Sequence, residues 1–385
     1  MNENGGGQKD PVRVLMCVGK LNIGGGAEGL VMDWYRGIDR GLLQFDFLTH
    51  TPRSGDASSY EDEIISLGGR VFYIRRSFLH YLRYQKELRK FFCEHPEIKT
   101  VQSHINAMSA PVLRAAKKSG MPVRIAHSHT TRLRPDLKMP LKILSKLMLR
   151  RYATHLFACS KRAGEWLFGK KTVRDGGVTV IPNAINVRRF EFDAAKRAGL
   201  RQKLWIGENQ PVFGHVGRFI YAKNHGFIID IFAEIKKESP GAVLLLIGDG
   251  ELMGDIKQKC RDLEVWDSVI FAGTVGNIEE YLWAMDAFLF PSRFEGVPCS
   301  VIEAQAAGLP CLISDTVTSE VGITSLAEFL SLKSPPEVWA KKALAATAPN
   351  ERKSMHDEIK AAGFDSADAA KKLQEFYLKT ILRKN

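Results

Sequence analysis

Short apolar runs alternate with amphipathic stretches along the whole chain. Residues 12–18 form a β-rich run, a glycine-rich loop follows at 24–26, and residues 27–38 carry apolar positions at helical spacing. Residues 45–49, 70–74 and 101–103 are further strand candidates, with a helix predicted over 81–93. The second half repeats the plan. Strands are predicted at 212–216, 242–247, 269–271, 287–290 and 310–314, and helices at 225–237, 252–263 and 301–307. The run 242–247 is almost wholly apolar, as expected of a strand buried on both faces. Such alternation predicts an α/β fold, with parallel sheets that carry helices on both faces. Two similar units repeat, which is unlike a short-period solenoid.

At 385 residues the chain is too long for one ordinary core and suits two domains. The polar, charged stretch 186–210 precedes a fresh strand and marks the boundary. A last helical pattern over 367–382 is placed to pack on either domain.

Composition narrows the class. With 45% hydrophobic and 25% charged residues the chain reads as globular, and no apolar run nears the roughly 18 residues that span a membrane. The first ten residues are polar and Gly-rich, without the apolar core of a secretory signal, so the expected compartment is the cytoplasm. Cys17, Cys93, Cys159, Cys260, Cys299 and Cys311 are scattered, with no C-x-x-C pair. That argues against a zinc site or disulfide framework and fits a reducing compartment. The formal net charge of +12 and pI of about 9.3 point to an anionic partner: nucleic acid, a membrane surface or a phosphorylated small molecule. No zinc-finger spacing, RNP-like aromatic run or K/R-only tail is present, which disfavours nucleic acid. Residues 137–152 read as a basic amphipathic helix. Lys138, Lys142, Lys146 and Arg150 recur every four residues, and Leu141, Leu144 and Met148 lie on a different face. An anionic membrane surface is one partner for it; an ordinary helix with a solvated basic face would carry the same pattern.

Two loops carry the chemistry. Gly217-Arg218-Phe219-Ile220-Tyr221-Ala222-Lys223 follows a strand and precedes a helix. In a parallel sheet ligands bind at the carboxyl ends of strands. A glycine there admits a ligand to the backbone, while Arg and Lys supply fixed positive charge suited to a diphosphate. The second loop runs from Phe290 through Pro-Ser-Arg-Phe-Glu-Gly-Val-Pro into a helix, with Glu295 in the loop and Glu303 inside the helix. Eight helical residues separate these carboxylates by at most ~12 Å at ~1.5 Å per residue, close to the span of a nucleotide sugar. Carboxylates suit both ends, because sugar and ribose hydroxyls are donors that they accept. Val301, Ile302, Ala304, Ala306 and Ala307 make this a mostly buried helix, where an idle charge is costly.

Glu295 and Glu303, with seven residues between them, resemble the E-x7-E motif of retaining GT-B glycosyltransferases of family 4. The Gly-Arg…Lys loop, Gly248-Asp249-Gly250-Glu251 and the segment Ile181-Pro182-Asn183-Ala184 resemble further motifs of that family, with Ala184 where glycine is usual. Gly24-Gly25-Gly26-Ala27-Glu28 resembles its N-terminal loop. Within the family the chain looks most like bacterial exopolysaccharide and capsule enzymes. The resemblance implies two Rossmann-like parallel-sheet domains facing each other across a cleft that closes on binding. Residues 1–195 would form the acceptor-side domain, completed by the helix 367–385, and 196–366 the nucleotide-sugar domain.

The resemblance also implies roles. Gly217, Arg218 and Lys223 would hold the donor diphosphate, with Gly248, Asp249 and Gly250 beside them. Glu295 would contact the transferred sugar and Glu303 the ribose. Gly296 and Val297 would hold sugar and phosphate through their backbone. Gly25 and Gly26 would approach the donor phosphate or acceptor, and Thr274 and Val275 would sit near the base. The family places a histidine near the reacting sugar. His127 and His129 both offer it, two residues apart and so on one side of a strand, with His104 a further candidate.

The expected partners are a nucleotide sugar, most commonly a UDP-sugar in the family, and a saccharide or polyprenyl-linked acceptor. No D-x-D triplet occurs. Its absence beside Arg218 and Lys223 predicts transfer with no metal and no cofactor. Rival readings are a GT-B relative with other sugar-nucleotide chemistry, such as an epimerase or phosphorylase, an inactive scaffold, and a basic non-catalytic binding module. The last leaves Glu295 and Glu303 without a role.

Overall fold

Period-two burial of continuous apolar strands sets the architecture. The computed structural model describes residues 10–23, 26–51, 59–75, 80–130, 139–347 and 352–382. Gly24, Gly25 and Lys138 lie outside the described residues.

Residues through Pro182, with the segment from Ser366, form one unit. Its strands are β1 (Val12–Val18), β2 (Leu43–Thr49), β3 (Val71–Tyr73), β4 (Ile98–Ser103), β5 (Val123–Ser128), β6 (His155–Ala158) and β7 (Thr179–Val180). Between them run α1 (Gly26–Gly37), α2 (Glu61–Ser66), α3 (Tyr81–Glu94), α4 (Ser109–Lys118), α5 (Met139–Tyr152), α6 (Lys161–Phe168) and α7 (Lys170–Arg174). The strands pair in parallel in the order β3-β2-β1-β4-β5-β6-β7.

Residues 183–365 form the second unit. It begins with α8 (Ala194–Lys203), then β8 (Val212–Val216), α9 (His225–Glu238), β9 (Val243–Ile247), α10 (Met253–Asp262) and β10 (Val269–Gly273). It continues with α11 (Ile278–Ala284), β11 (Ala287–Phe290), α12 (Cys299–Ala306), β12 (Cys311–Ser314), β13 (Ala327–Leu330), α13 (Pro336–Ala346) and α14 (His356–Ala361). This sheet is also parallel, in the order β10-β9-β8-β11-β12-β13. Its strands feed two cores. Val243, Leu245, Ile247, Phe288 and Phe290 enter one, while Leu244, Leu246, Ala287 and Leu289 enter the other. That is the alternation a strand buried on both faces must show.

The chain re-enters the first unit with α15 (Ser366–Leu382), which lies against α1. Their approach is close: a Cβ added at Gly37 would stand 2.9 Å from that of Ala370.

The first unit ends at Pro182 rather than near residue 195, the boundary read from polarity. The polar stretch hides anchors to the second core. Val187 and Phe190 are buried in it, and Trp283 Nε1 donates to the Phe190 carbonyl at 3.0 Å. Arg197 and Arg201 of α8 each reach Asp286 at 2.7 Å and cap the carbonyls that end α11. Cations at a helix C-terminus are favourable, so this charged segment folds as structure rather than linker. The six cysteines form no disulfide. No helix among the described residues is long and apolar enough to cross a membrane.

Candidate active site

Each sheet reverses its strand order once, between β1 and β4 in the first unit and between β8 and β11 in the second. Ligands of such sheets bind beyond the carboxyl ends at that switch point. In the second unit the two candidate loops leave β8 and β11 there.

Glycines stitch these loops together. Gly217 donates its N–H to the Ile247 carbonyl at 2.9 Å, and Phe219 donates to the Asp249 carbonyl at 3.0 Å. A Cβ at Gly248, where φ is +133°, would lie 2.2 Å from the Gly217 carbonyl oxygen. One at Gly250 would meet the Phe219 backbone at 2.6 Å. Backbone packs on backbone, and only glycine fits. One turn of 3-10 helix, Tyr221–Lys223, then ends at Asn224, whose φ of 58° is left-handed. Asn224 Nδ2 donates to the Pro291 carbonyl at 3.1 Å, and Arg293 N–H donates to the Ala222 carbonyl at 2.8 Å. The β8 loop is thereby tied to the β11 loop. Lys223 Nζ lands 2.9 Å from Glu295 Oε1 and 4.6 Å from the Phe290 ring centre.

The other expected residues take distinct positions. Arg218, Asp249 and Thr274 are exposed, and Val275 and Gly296 are half-buried. Val297 is buried, and its carbonyl accepts from Asn183 Nδ2 at 3.1 Å. Glu303 is half-buried on α12, between Ile302 and Ala304 of the core.

Sequence reasoning missed His215 and His225. Both are buried beside the Gly-Arg…Lys loop, and a Cβ at Gly217 would lie 2.8 Å from His215 Nε2. His215 Nδ1 lies 2.8 Å from the Leu289 carbonyl, so it carries the proton that it donates there. His225 stacks on Phe219 with ring centres 4.0 Å apart. Burial, helped by nearby Lys223, holds His215 well below the usual histidine range and His225 at about 3. Both are neutral at physiological pH. Their positions, each two residues outside the motif, were the available signal.

In the first unit the histidine candidates come together at the carboxyl ends of β4 and β5. His127 lies inside β5, His129 just after it and His104 just after β4. The rings of His127 and His129 stack 4.2 Å apart, and His104 Nδ1 is 2.8 Å from His129 Nε2. Trp34 of α1 stacks on His127 with centres 5.8 Å apart. Asn106, at a left-handed φ of 52°, accepts the His129 N–H on Oδ1 at 2.7 Å. Burial lowers the pKa of all three imidazoles, with His129 at about 4. One ligating atom from each lies within 4.8 Å of the others, the metal-like grouping found among the described residues. Gly26 is exposed at the start of α1, and Gly25 lies outside the described residues.

Residues 24–189 match the family model "Glycosyltransferase Family 4", and residues 196–355 match "Glycosyl transferases group 1". The two matches divide where the two sheets do. EpsF of Bacillus subtilis strain 168, assigned to the glycosyltransferases, is 34% identical over 363 residues, covering 92% of this chain and 93% of its own. The chain is a glycosyltransferase of the GT-B fold. The Staphylococcus aureus capsular polysaccharide biosynthesis glycosyltransferase CapH is 25% identical, covering 96% of this glycosyltransferase and all of its own length, 100%. The fold is shared with Anabaena Alr3699/HepE, solved in complex with UDP and glucose. That structure matches at a TM-score of 0.76 and 16% identity, over 94% of this chain and 98% of its own.

Proposed function

We propose that this glycosyltransferase moves a sugar from a UDP-sugar to a saccharide or polyprenyl-linked saccharide, with retention of configuration, in exopolysaccharide or capsule synthesis. The carrying observation is the Lys223–Glu295 pair at the β8/β11 switch point. It sets a cation and a carboxylate side by side where a diphosphate and its sugar would meet. The capsule-directed name of CapH and the UDP and glucose bound by HepE support the choice of pathway and donor.

In this reading Arg218 and Lys223 grip the diphosphate, beside the closely packed backbone of Gly217, Gly248 and Gly250. Glu295 accepts from the sugar and Glu303 from the ribose. Gly296 and Val297 offer backbone groups, Asp249 lies beside the phosphates, and Thr274 and Val275 border the base. Gly25 and Gly26 approach the phosphate or the acceptor, and His127 or His129 faces the sugar. The anomeric carbon–phosphate oxygen bond breaks while the acceptor hydroxyl attacks from the same face. The acceptor proton passes to the leaving phosphate oxygen. Fixed cations stabilise the charge that grows on the diphosphate. Arg218 and Lys223 do this without a metal ion.

Peripheral attachment to an anionic membrane face completes the proposal. On α5, Ser145, Leu149 and Tyr152 are buried, while Ile143, Leu144 and Leu147 are 47%, 54% and 74% exposed. Leu144 therefore faces outward rather than into the core, and Arg150 and Arg151 stand in the last turn of the same helix. Exposed leucines among basic residues suit an interfacial helix.

Proton NMR of the first-formed product tests the reaction. An α-configured donor gives an α-linked product under this proposal, and a β-linked first product contradicts it.

A further inference from the structure

A hydrogen-bond chain from the C-terminal helix reaches the histidine cluster. The Tyr377 hydroxyl of α15 is 2.6 Å from Gln102 Oε1, and Gln102 Nε2 is 3.1 Å from His127 Nδ1. All three side chains are wholly buried. We propose that Tyr377 and Gln102 are positioning residues that fix His127 as a neutral Nε2–H donor toward an oxygen of the sugar being transferred. The inference rests on the proposed transferase chemistry for its final step only.

The proton count runs from one end. Burial keeps the Tyr377 phenol protonated, far above the ordinary tyrosine range. Its hydrogen needs an acceptor, and Gln102 Oε1 is the partner within reach. That orients the amide, so the NH2 group faces His127. An NH2 group only donates, so Nδ1 must hold the lone pair and Nε2 the proton. Turning the amide over would leave the phenol hydrogen without an acceptor and still leave His127 Nε2 alone. The orientation with fewer orphans is the one with Nε2–H.

That N–H is itself unpartnered. His127 Nε2 is buried and meets no hydrogen-bonding group among the described residues. A buried donor without an acceptor is costly, and such groups gather where a ligand completes them. The ring has little freedom to turn elsewhere. Trp34 covers it at 13° from parallel, His129 at 28°, and Phe157 meets it edge-on at 89°. It stands at the carboxyl end of β5, the ligand-binding edge of the sheet. The same tautomer argues against metal ligation at Nε2, which needs a free lone pair.

The test uses the full chain labelled with 15N-histidine, with the His127 signals assigned by their loss in His127→Gln. In the ligand-free wild type the nitrogen shifts should report the Nε2–H tautomer. Tyr377→Phe should mix the tautomers, and Gln102→Glu, whose carboxylate accepts from Nδ1–H, should reverse them. In Tyr377→Phe, kcat should fall about tenfold with donor KM unchanged, the signature of an interaction made in the transition state. An Nδ1–H tautomer in the wild type, or shifts unmoved in both variants, would overturn the proposal. So would an unchanged kcat where the tautomer has moved, or micromolar zinc binding that the His127 variant loses. Should one variant not fold, the other and the wild-type tautomer still decide. The tautomer is read without substrate, so a failure there is distinct from a failure of the transferase reading.

Discussion

Lys223 Nζ and Glu295 Oε1 stand 2.9 Å apart, so the cation assigned to the diphosphate and the carboxylate assigned to the sugar neutralise each other. Each side chain is less than one-fifth exposed, at 15% and 19%. In the proposed reaction the donor takes both partners over. Glu295→Gln keeps shape and a hydrogen bond to Lys223 but removes the charge. Its turnover should fall by about a hundredfold or more, with a melting temperature within a few degrees of wild type. Steady-state kinetics beside a thermal melt checks this. Full turnover would remove Glu295 from the chemistry.

The glycine seam makes a separate stability prediction. Gly248→Ala combines a positive φ of 133° with a Cβ 2.2 Å from backbone. It should destabilise the second unit by about 2–4 kcal/mol. A Cβ at Gly296 meets nothing within 4 Å, so Gly296→Ala should stay within about 0.5 kcal/mol of wild type. Urea unfolding followed by tryptophan fluorescence compares the two. Equal stability losses would mean that the loops relax apart.

Buried neutral histidines predict acid sensitivity. His104, His127, His129, His215 and His225 all have pKa values lowered by burial, to about 4 for His129 and about 3 for His225. Unfolded histidines bind a proton below about pH 6.5. The native state binds fewer protons there, so stability present above that pH is lost as pH falls toward 4. At pH 5.5 each such histidine costs the fold about 1.4 kcal/mol. The midpoint of urea unfolding should fall steadily between pH 7 and pH 5. A flat profile would mean that the imidazoles are solvated.

The proposed membrane attachment rests on α5. Reversing Lys142 and Lys146, with Lys138 beside them in sequence, should release the chain from vesicles containing anionic lipid. Leu147→Ala should weaken binding at every salt concentration, because the lost contact is apolar. Vesicle co-sedimentation reads both. Unchanged binding of the charge-reversed chain would sink the attachment proposal.

What the sequence revealed follows from how each element is stabilised. β8 and β11 were legible to their ends, because nearly every residue is buried and only Gly214 and His215 of β8 interrupt the apolar pattern. β7 and β13 were not: they lie at sheet edges with half-exposed or exposed residues and leave little pattern. α8 was hidden because its anchors are the guanidiniums of Arg197 and Arg201. The loops that leave β8 and β11 were readable from glycine and charge at strand ends. The Tyr377–Gln102 bond spans 275 residues of sequence, so no local signal marks it. His127 and His129 stood out as a pair, but their ties to His104 and Gln102 needed the register of β4 and β5.

The most direct test of the central claim is a thermal-shift screen in metal-free buffer against UDP, GDP, ADP and their common sugar conjugates. A ligand at a hundred times its dissociation constant stabilises the native state by about 2.7 kcal/mol. The account predicts a clear rise in melting temperature with UDP and its sugars, lost in a chain carrying both Arg218→Ala and Lys223→Ala. No rise with any nucleotide at millimolar concentration, or a rise that survives loss of both cations, would contradict it.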